Sequence, residues 1–214
     1  MISARNIRKK FTSDGSMMYV GGDEIIILVQ GQKDPLVNNT ILSVVCTAGP
    51  RVLGDTHFVL GFRKHPGEKP ETPEEVEVFE RALAKRTKLL EKVWMLDDEC
   101  TLSEAIASAG ITIFHGGPNE SIVGAYARKP IAYYYDAGVR RYLLNNGFGD
   151  SWFVPELGGA YKIDEPYEVE KCIRTLIYVD GRRALRALQE ENFPLPETWD
   201  TAPLIVDFLE TVAR

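Results

Sequence analysis

The sequence predicts an α/β protein with a doubly wound, mostly parallel sheet, and three observations predict it. Ile25-Ile26-Ile27-Leu28-Val29 is apolar without alternation, the pattern of a strand covered on both faces. Such runs alternate with helical stretches whose starts carry capping boxes, at Thr72-Pro73-Glu74-Glu75 and Thr101-Leu102-Ser103-Glu104. Residues 111–114, a glycine-containing turn, residues 121–128 and residues 130–135 then read as strand, helix and strand. Sterics make that crossover right-handed, and repeated crossovers wind a parallel sheet with helices on both faces. At 214 residues, 44% apolar and 26% charged, the chain fits one large domain with a proper core. We place this Rossmann-like domain at 21–192, an N-terminal arm or linker at 1–20, and a C-terminal link and helix at 193–214.

The elements follow in order. Residues before 21 show no clear period, and Arg5, Arg8, Lys9 and Lys10 make a small basic patch on a solvated arm. Order begins at Glu24. The first strand stops at Gln30-Gly31-Gln32-Lys33-Asp34-Pro35, and Asn38 or Asn39 is placed to cap a helix over 40–46. Residues 57–62 form the next strand, closed by Lys64-His65-Pro66-Gly67. The helix over 72–92 has Pro73 at its first position, with Val76, Phe79, Leu83 and Leu90 on one face. Its acids come early and its bases late, as the macrodipole prefers. A short strand over 93–96 ends in Asp97-Asp98, and the second capping box opens a helix that Gly110 ends. After the crossover come a helix near 139–146, extended pieces at 152–154 and 160–163, and helices over 167–179 and 182–192. Past Pro194 and Pro196, a last helix over 202–213 carries Leu204, Ile205, Phe208, Leu209 and Val212.

Composition excludes several classes. A net charge of −6 with scattered basic residues does not suit duplex nucleic acid, which needs a concentrated basic stripe. A nucleotide or sugar phosphate remains open, since a helix N-terminus and one or two aimed side chains hold those. The longest apolar run is too short to cross a bilayer, so no transmembrane segment is expected. The polar start lacks a secretory pattern. Cys46, Cys100 and Cys172 form neither metal spacing nor a disulfide framework, and read as small buried residues in a reducing compartment. A cytoplasmic location follows as the expectation.

Open parallel sheets bind ligands beyond the carboxyl ends of their strands, where loops 31–39, 63–67, 97–101 and 115–121 collect. In His115-Gly116-Gly117-Pro118-Asn119-Glu120-Ser121 the two glycines let backbone approach a ligand, and the next helix aims free N–H groups at the same spot. The plainer reading is a tight turn that binds nothing, with His115 a hydrogen-bonded, partly buried histidine. Arg63-Lys64-His65-Pro66 places three potential cations past a strand, either for a phosphoryl group or as an exposed basic turn. Asp97-Asp98-Glu99 has the chemistry of a metal site or general base, but acids also suit the turn before a capped helix. Of Tyr133, Tyr134 and Tyr135, alternate rings face opposite sides of the sheet, so at most part of the trio faces a ligand. No serine–histidine–acid order, Walker loop or zinc cluster has convincing spacing.

Four features in sequence order carry a resemblance. They are Val29-Gln30-Gly31 at a strand end, Lys64-His65-Pro66 after a strand, an alanine-rich helix and short strand over 103–114, and His115 to Asn119 leading to Ala127-Arg128-Lys129-Pro130. Together residues 25–176 resemble the nucleotide-sugar-binding C-terminal domain of GT-B-fold glycosyltransferases and of the related UDP-GlcNAc 2-epimerases. The resemblance implies a single GT-B-type domain, a donor such as a UDP- or CDP-sugar, and no separate cofactor or metal. It implies Lys64 and His65 as phosphate partners, the Gly116 and Gly117 backbone with Ser121 beside them, His115 and Asn119 as polar lining, and Tyr135 as a base contact. The His-Pro pair is similar to one that some sialyl- and glycerophosphotransferases use near the nucleotide phosphates. Two positions depart from the pattern. Val123 stands where family members carry a ribose-binding glutamate, and Glu120 stands where many carry a serine or threonine. Both departures count against nucleotide binding.

A GT-B enzyme is two such domains around a cleft, and this length accommodates one, so a second domain or subunit is expected to supply the acceptor site and general base. The leading reading is therefore a donor-binding enzyme subunit. A second is a non-catalytic GT-B-like scaffold that lost its site. A third is a small hydrolase or phosphosugar-processing enzyme with His65 or His115 as acid/base.

Overall fold

The computed structural model describes residues 19–20, 24–32, 35–54, 58–63, 65, 93–95, 101–116, 120–147, 149 and 152–195. Its strands are β1 (Tyr19–Val20), β2 (Glu24–Gln30), β3 (Phe58–Arg63), β4 (Val93–Met95), β5 (Ile111–His115), β6 (Ile131–Tyr134) and β7 (Tyr161–Ile163). Its helices are α1 (Pro35–Leu53), α2 (Leu102–Ser108), α3 (Glu120–Tyr126), α4 (Ala137–Asn145), α5 (Phe153–Glu156), α6 (Glu168–Ile177) and α7 (Val179–Asn192).

The sheet order is β4-β3-β2-β5-β6-β7, and every neighbouring pair on that path is parallel. Ile27 pairs with Leu60 on one flank and with Ile111 on the other. Ile27, Leu60 and Ile111 are all fully buried, so the unalternating apolar runs do reflect cover on both faces. β1 is the exception, lying antiparallel on Glu24 and Ile25 at the start of β2. Tyr19 and Val20, at the end of the stretch expected to be an arm, thus belong to the sheet. The remainder of that arm, the 72–92 helix, Asp97 to Glu99 and the 202–213 helix lie outside the described residues.

The chain runs from β2 outward to β3 in one direction and from β5 outward to β6 in the other. Right-handed crossovers of opposite direction place α1 and α3 on opposite faces. α6 packs beside α1, while α3 contacts α2, α5 and α7. The reversal leaves a crevice at the carboxyl ends of β2 and β5, the topological switch point where such sheets hold ligands.

Two expectations are corrected. Residues 152–154 are not an extended piece: Trp152 alone is extended, and α5 follows as one helical turn whose Val154 and Pro155 are buried. The helix expected over 40–46, capped by Asn38 or Asn39, starts at Pro35 and runs to Leu53. Proline suits a first helical position because its missing N–H has no helical partner anyway. The earlier start puts Asn38 inside the helix and frees its side chain for another use. The capping box at Thr101 forms as expected, with Thr101 Oγ1 accepting from Glu104 N and Glu104 Oε2 accepting from Thr101 N.

Candidate functional site

At the switch point a buried asparagine joins the two central loops. Asn38 Nδ2 donates to the Gln32 carbonyl oxygen and Asn38 Oδ1 accepts from the Gln32 N–H, both at 2.8 Å. His115, the last residue of β5, sets Nε2 2.8 Å from the same Oδ1. Because Oδ1 can only accept, Nε2 carries the ring proton and Nδ1 is left as an acceptor. His115 is fully buried, and burial pushes its pKa down to about 3. The ring is neutral at physiological pH, so His115 is not a general acid or base there.

Gly116 follows with φ 71°, the left-handed region that glycine enters without cost. A Cβ there would sit 3.2 Å from Gln32 Cγ and 3.3 Å from the Tyr142 ring. The β5 turn is thus held between the β2 loop and α4. At the neighbouring strand end, Gly31 N donates to the Arg63 carbonyl oxygen at 2.8 Å, and Arg63 Nη1 donates to Gln30 Oε1 at 3.3 Å. His65 lies just beyond, half-buried, while Lys64 lies outside the described residues.

Four buried side-chain atoms lack a partner among the described residues: Gln32 Nε2, His115 Nδ1, Tyr135 Oη and Gln189 Oε1. Gln32 Nε2 and His115 Nδ1 stand just past the end of β2 and at the end of β5, which are neighbours in the sheet, whereas Tyr135 sits with Arg140 and Lys162 beyond β6. A buried polar atom with no partner costs roughly 1–3 kcal/mol, so the gathering of the first two at one edge is informative.

Ser121 is fully buried and its Oγ accepts the Trp152 indole N–H at 3.0 Å, fastening α5 to α3. Glu120 is half-buried at the start of α3, and Val123 is exposed on it. Gly117 and Asn119 lie outside the described residues. Tyr133 and Tyr134 are core residues, and Tyr134 donates from its hydroxyl to Asp136 Oδ2 at 3.0 Å. Tyr135 stacks on Tyr133 at 5.7 Å and has the Arg140 guanidinium carbon and Lys162 Nζ at 5.2 and 5.3 Å from its ring centroid. Among the described residues no three His, Cys, Asp or Glu side chains are grouped to hold a metal, and no helix is long and apolar enough to cross a membrane.

The structure therefore brings His115, Gly116 and His65's strand end to one edge, and adds Gln32 and Asn38, which the sequence reading missed. Their signal was present: Gln30, Gln32 and Asn38 are polar residues set between the apolar runs of β2 and α1.

No family model and no curated protein matches the sequence. Solved structures do match. HepE of Anabaena, solved with UDP and glucose, aligns over 98% of this chain and 51% of its own, with TM-score 0.61 and 11% identity. TarM of S. aureus aligns over 88% of this chain and 35% of its own, with TM-score 0.58 and 13% identity. The C-terminal domain of LpcC, a group 1 glycosyl transferase of Francisella tularensis, aligns over 84% of this chain and 95% of its own, with TM-score 0.54 and 10% identity. The chain thus spans about half the length of HepE and nearly all of the isolated LpcC domain. At these identities the likeness establishes the fold alone.

Proposed function

The chain has the fold of a GT-B C-terminal domain, and from that premise we propose that it is the donor-binding half of a glycosyltransferase-like protein. It takes a nucleotide sugar, such as a UDP- or CDP-sugar, at the switch point, and a second domain or subunit completes it. The observation that carries this reading is the pair of unpartnered buried atoms on Gln32 and His115 at two adjacent strand ends. A ligand offering both donors and acceptors satisfies them, where an apolar edge would serve stability better. HepE was solved with UDP and glucose, which supports the same choice of ligand.

In this reading the Gln32 amide donates, His115 Nδ1 accepts, and Gly116 lets backbone come close. Lys64, His65, Gly117, Asn119 and Ser121 are assigned to the phosphates and their surroundings. Catalysis is positioning and charge stabilisation of the leaving nucleoside phosphate, with the general base on the second domain or subunit. A scaffold that has lost nucleotide binding is the competing reading. Ser121 Oγ engaged by Trp152, and Val123 in place of an acid, favour it.

A thermal-shift panel of UDP, CDP, GDP, UMP and UDP-sugars decides between them, with His65→Ala and Asn119→Ala beside the wild type. The donor reading expects one nucleotide class to raise Tm, by about 2.7 kcal/mol of stabilisation at a hundredfold over its Kd, and both variants to lose the shift. A flat panel leaves the scaffold reading.

A further inference from the structure

A second concavity lies beyond the ends of β6 and β7, against α4. It has a volume of about 640 Å³, within the usual range for small-molecule sites. On α4, Val139 and Leu143 face the core and Tyr142 reaches Gly116, whereas Arg140, Arg141 and Asn145 line this cleft. Lys162, Asp164 and Glu165 close it from the end of β7, and Tyr135 is part of its wall.

The charges are unequally engaged. Lys162 pairs with Glu156 at 3.1 Å and Asp164 at 3.4 Å, so its charge is already balanced. Arg140 has only the Tyr135 ring, and Arg141 has no ion pair, among the described residues. The Glu165 carboxylate is likewise unpaired among them; it is its backbone N–H that bonds to Glu168. Two unmatched guanidiniums beside carboxylates are a mixed arrangement. Guanidinium forks select an oxyanion, and carboxylates accept hydrogen bonds from sugar hydroxyls while repelling a bare anion.

We propose that this cleft binds a sugar bearing an oxyanion, a sugar phosphate or a uronic acid, with Arg140 and Arg141 on the anion and Asn145, Asp164 and Glu165 on the hydroxyls. The inference does not rest on nucleotide binding at the switch point.

Isothermal titration of the full chain with glucose 6-phosphate, glucuronate, glucose and inorganic phosphate tests it. The expected result is saturable binding of glucose 6-phosphate or glucuronate, and which of them binds identifies the oxyanion. Arg140→Ala/Arg141→Ala weakens it at least about tenfold, about 1.4 kcal/mol or more, because both guanidiniums that meet the oxyanion are gone. Both arginines are exposed, so the fold survives their removal, and an unchanged Tm of that variant checks it. Glu165→Gln weakens the sugar ligand but does not weaken inorganic phosphate. The proposal is overturned if neither charged sugar binds saturably, if the double variant binds as well as wild type, or if inorganic phosphate or glucose binds as tightly as the charged sugars. A UDP shift in the same samples reports on the donor reading separately.

Discussion

Replacing Asn38 by alanine removes the junction of the two central loops. The side chain makes three contacts of 2.8 Å, to the Gln32 N–H, the Gln32 carbonyl and His115 Nε2. Asn38 and His115 are almost completely buried, as is most of Gln32, so Asn38→Ala leaves three desolvated groups without partners. Each costs roughly 1–3 kcal/mol, less whatever a water entering the vacated space recovers. The net expectation is a loss of about 3 kcal/mol, a large share of the roughly 5–15 kcal/mol typical of a domain. Urea unfolding followed by tryptophan fluorescence reads it as a fall in the midpoint of about 1 M or more at unchanged slope. A cycle with His115→Leu tests the link itself, because residues sharing a hydrogen bond couple by roughly 0.5–3 kcal/mol. A loss below about 1 kcal/mol, or additive single effects, refutes the view that Asn38 ties β5 to the β2 loop.

His115 gives a pH signature of definite sign. Its folded pKa of about 3 lies below the unfolded 6.5, so the unfolded chain holds the extra proton between those values. Its contribution is full above pH 6.5 and is lost as pH falls toward 3, with a limiting slope near 1.4 kcal/mol per pH unit. His115→Gln should flatten the urea midpoint between pH 6 and 4.5 relative to wild type, and an identical slope in the two proteins would count against burial of the neutral ring. Gly116→Ala must place a Cβ at φ 71° between Gln32 and Tyr142, costing about 1–2 kcal/mol from backbone conformation, with more from crowding. Calorimetry should show a lowered Tm, and an unchanged one sinks the claim that the turn is sterically closed. Thr101→Ala deletes the α2 cap and should cost about 1 kcal/mol in the same assay, whereas Thr101→Ser should keep most of it.

Much of this architecture could be read from side-chain pattern because both faces of the sheet are covered. The uninterrupted β-branched run 25–29, bounded by a turn cluster, points to a strand covered on both faces, and the Thr101 box announced α2 by local chemistry alone. What escaped depended on long-range geometry. Asn38 looked like a cap because asparagine prefers caps, yet Pro35 opens the helix earlier and the amide turns back to Gln32 instead. Trp152 read as a strand residue because it is extended and aromatic, but its indole is spent on Ser121 in α3, and the chain turns immediately after it. Tyr19 and Val20 gave no signal, since two residues are too few for a period and their pairing with β2 is tertiary. His115 stood out by residue type, while its neutrality follows only from complete burial.

The distribution of charge around α4 separates two kinds of surface. On its Tyr142 side the described groups of the switch point, Gln32, Asn38, His115 and the Gly116 backbone, are all neutral. A fixed charge there would sit in desolvated surroundings, and His115 shows what such surroundings do to one: the ring gives up its proton rather than carry charge. On the other side Arg140 and Arg141 stay near solvent, where a charge is cheap to keep and an aromatic ring and a concave wall still orient it. In the donor-binding proposal the phosphates are therefore met by backbone N–H dipoles and by the groups assigned past β3, Lys64 and His65, not by His115. Under the two proposals the neutral interior discriminates by donor and acceptor pattern, and the charged flank by charge.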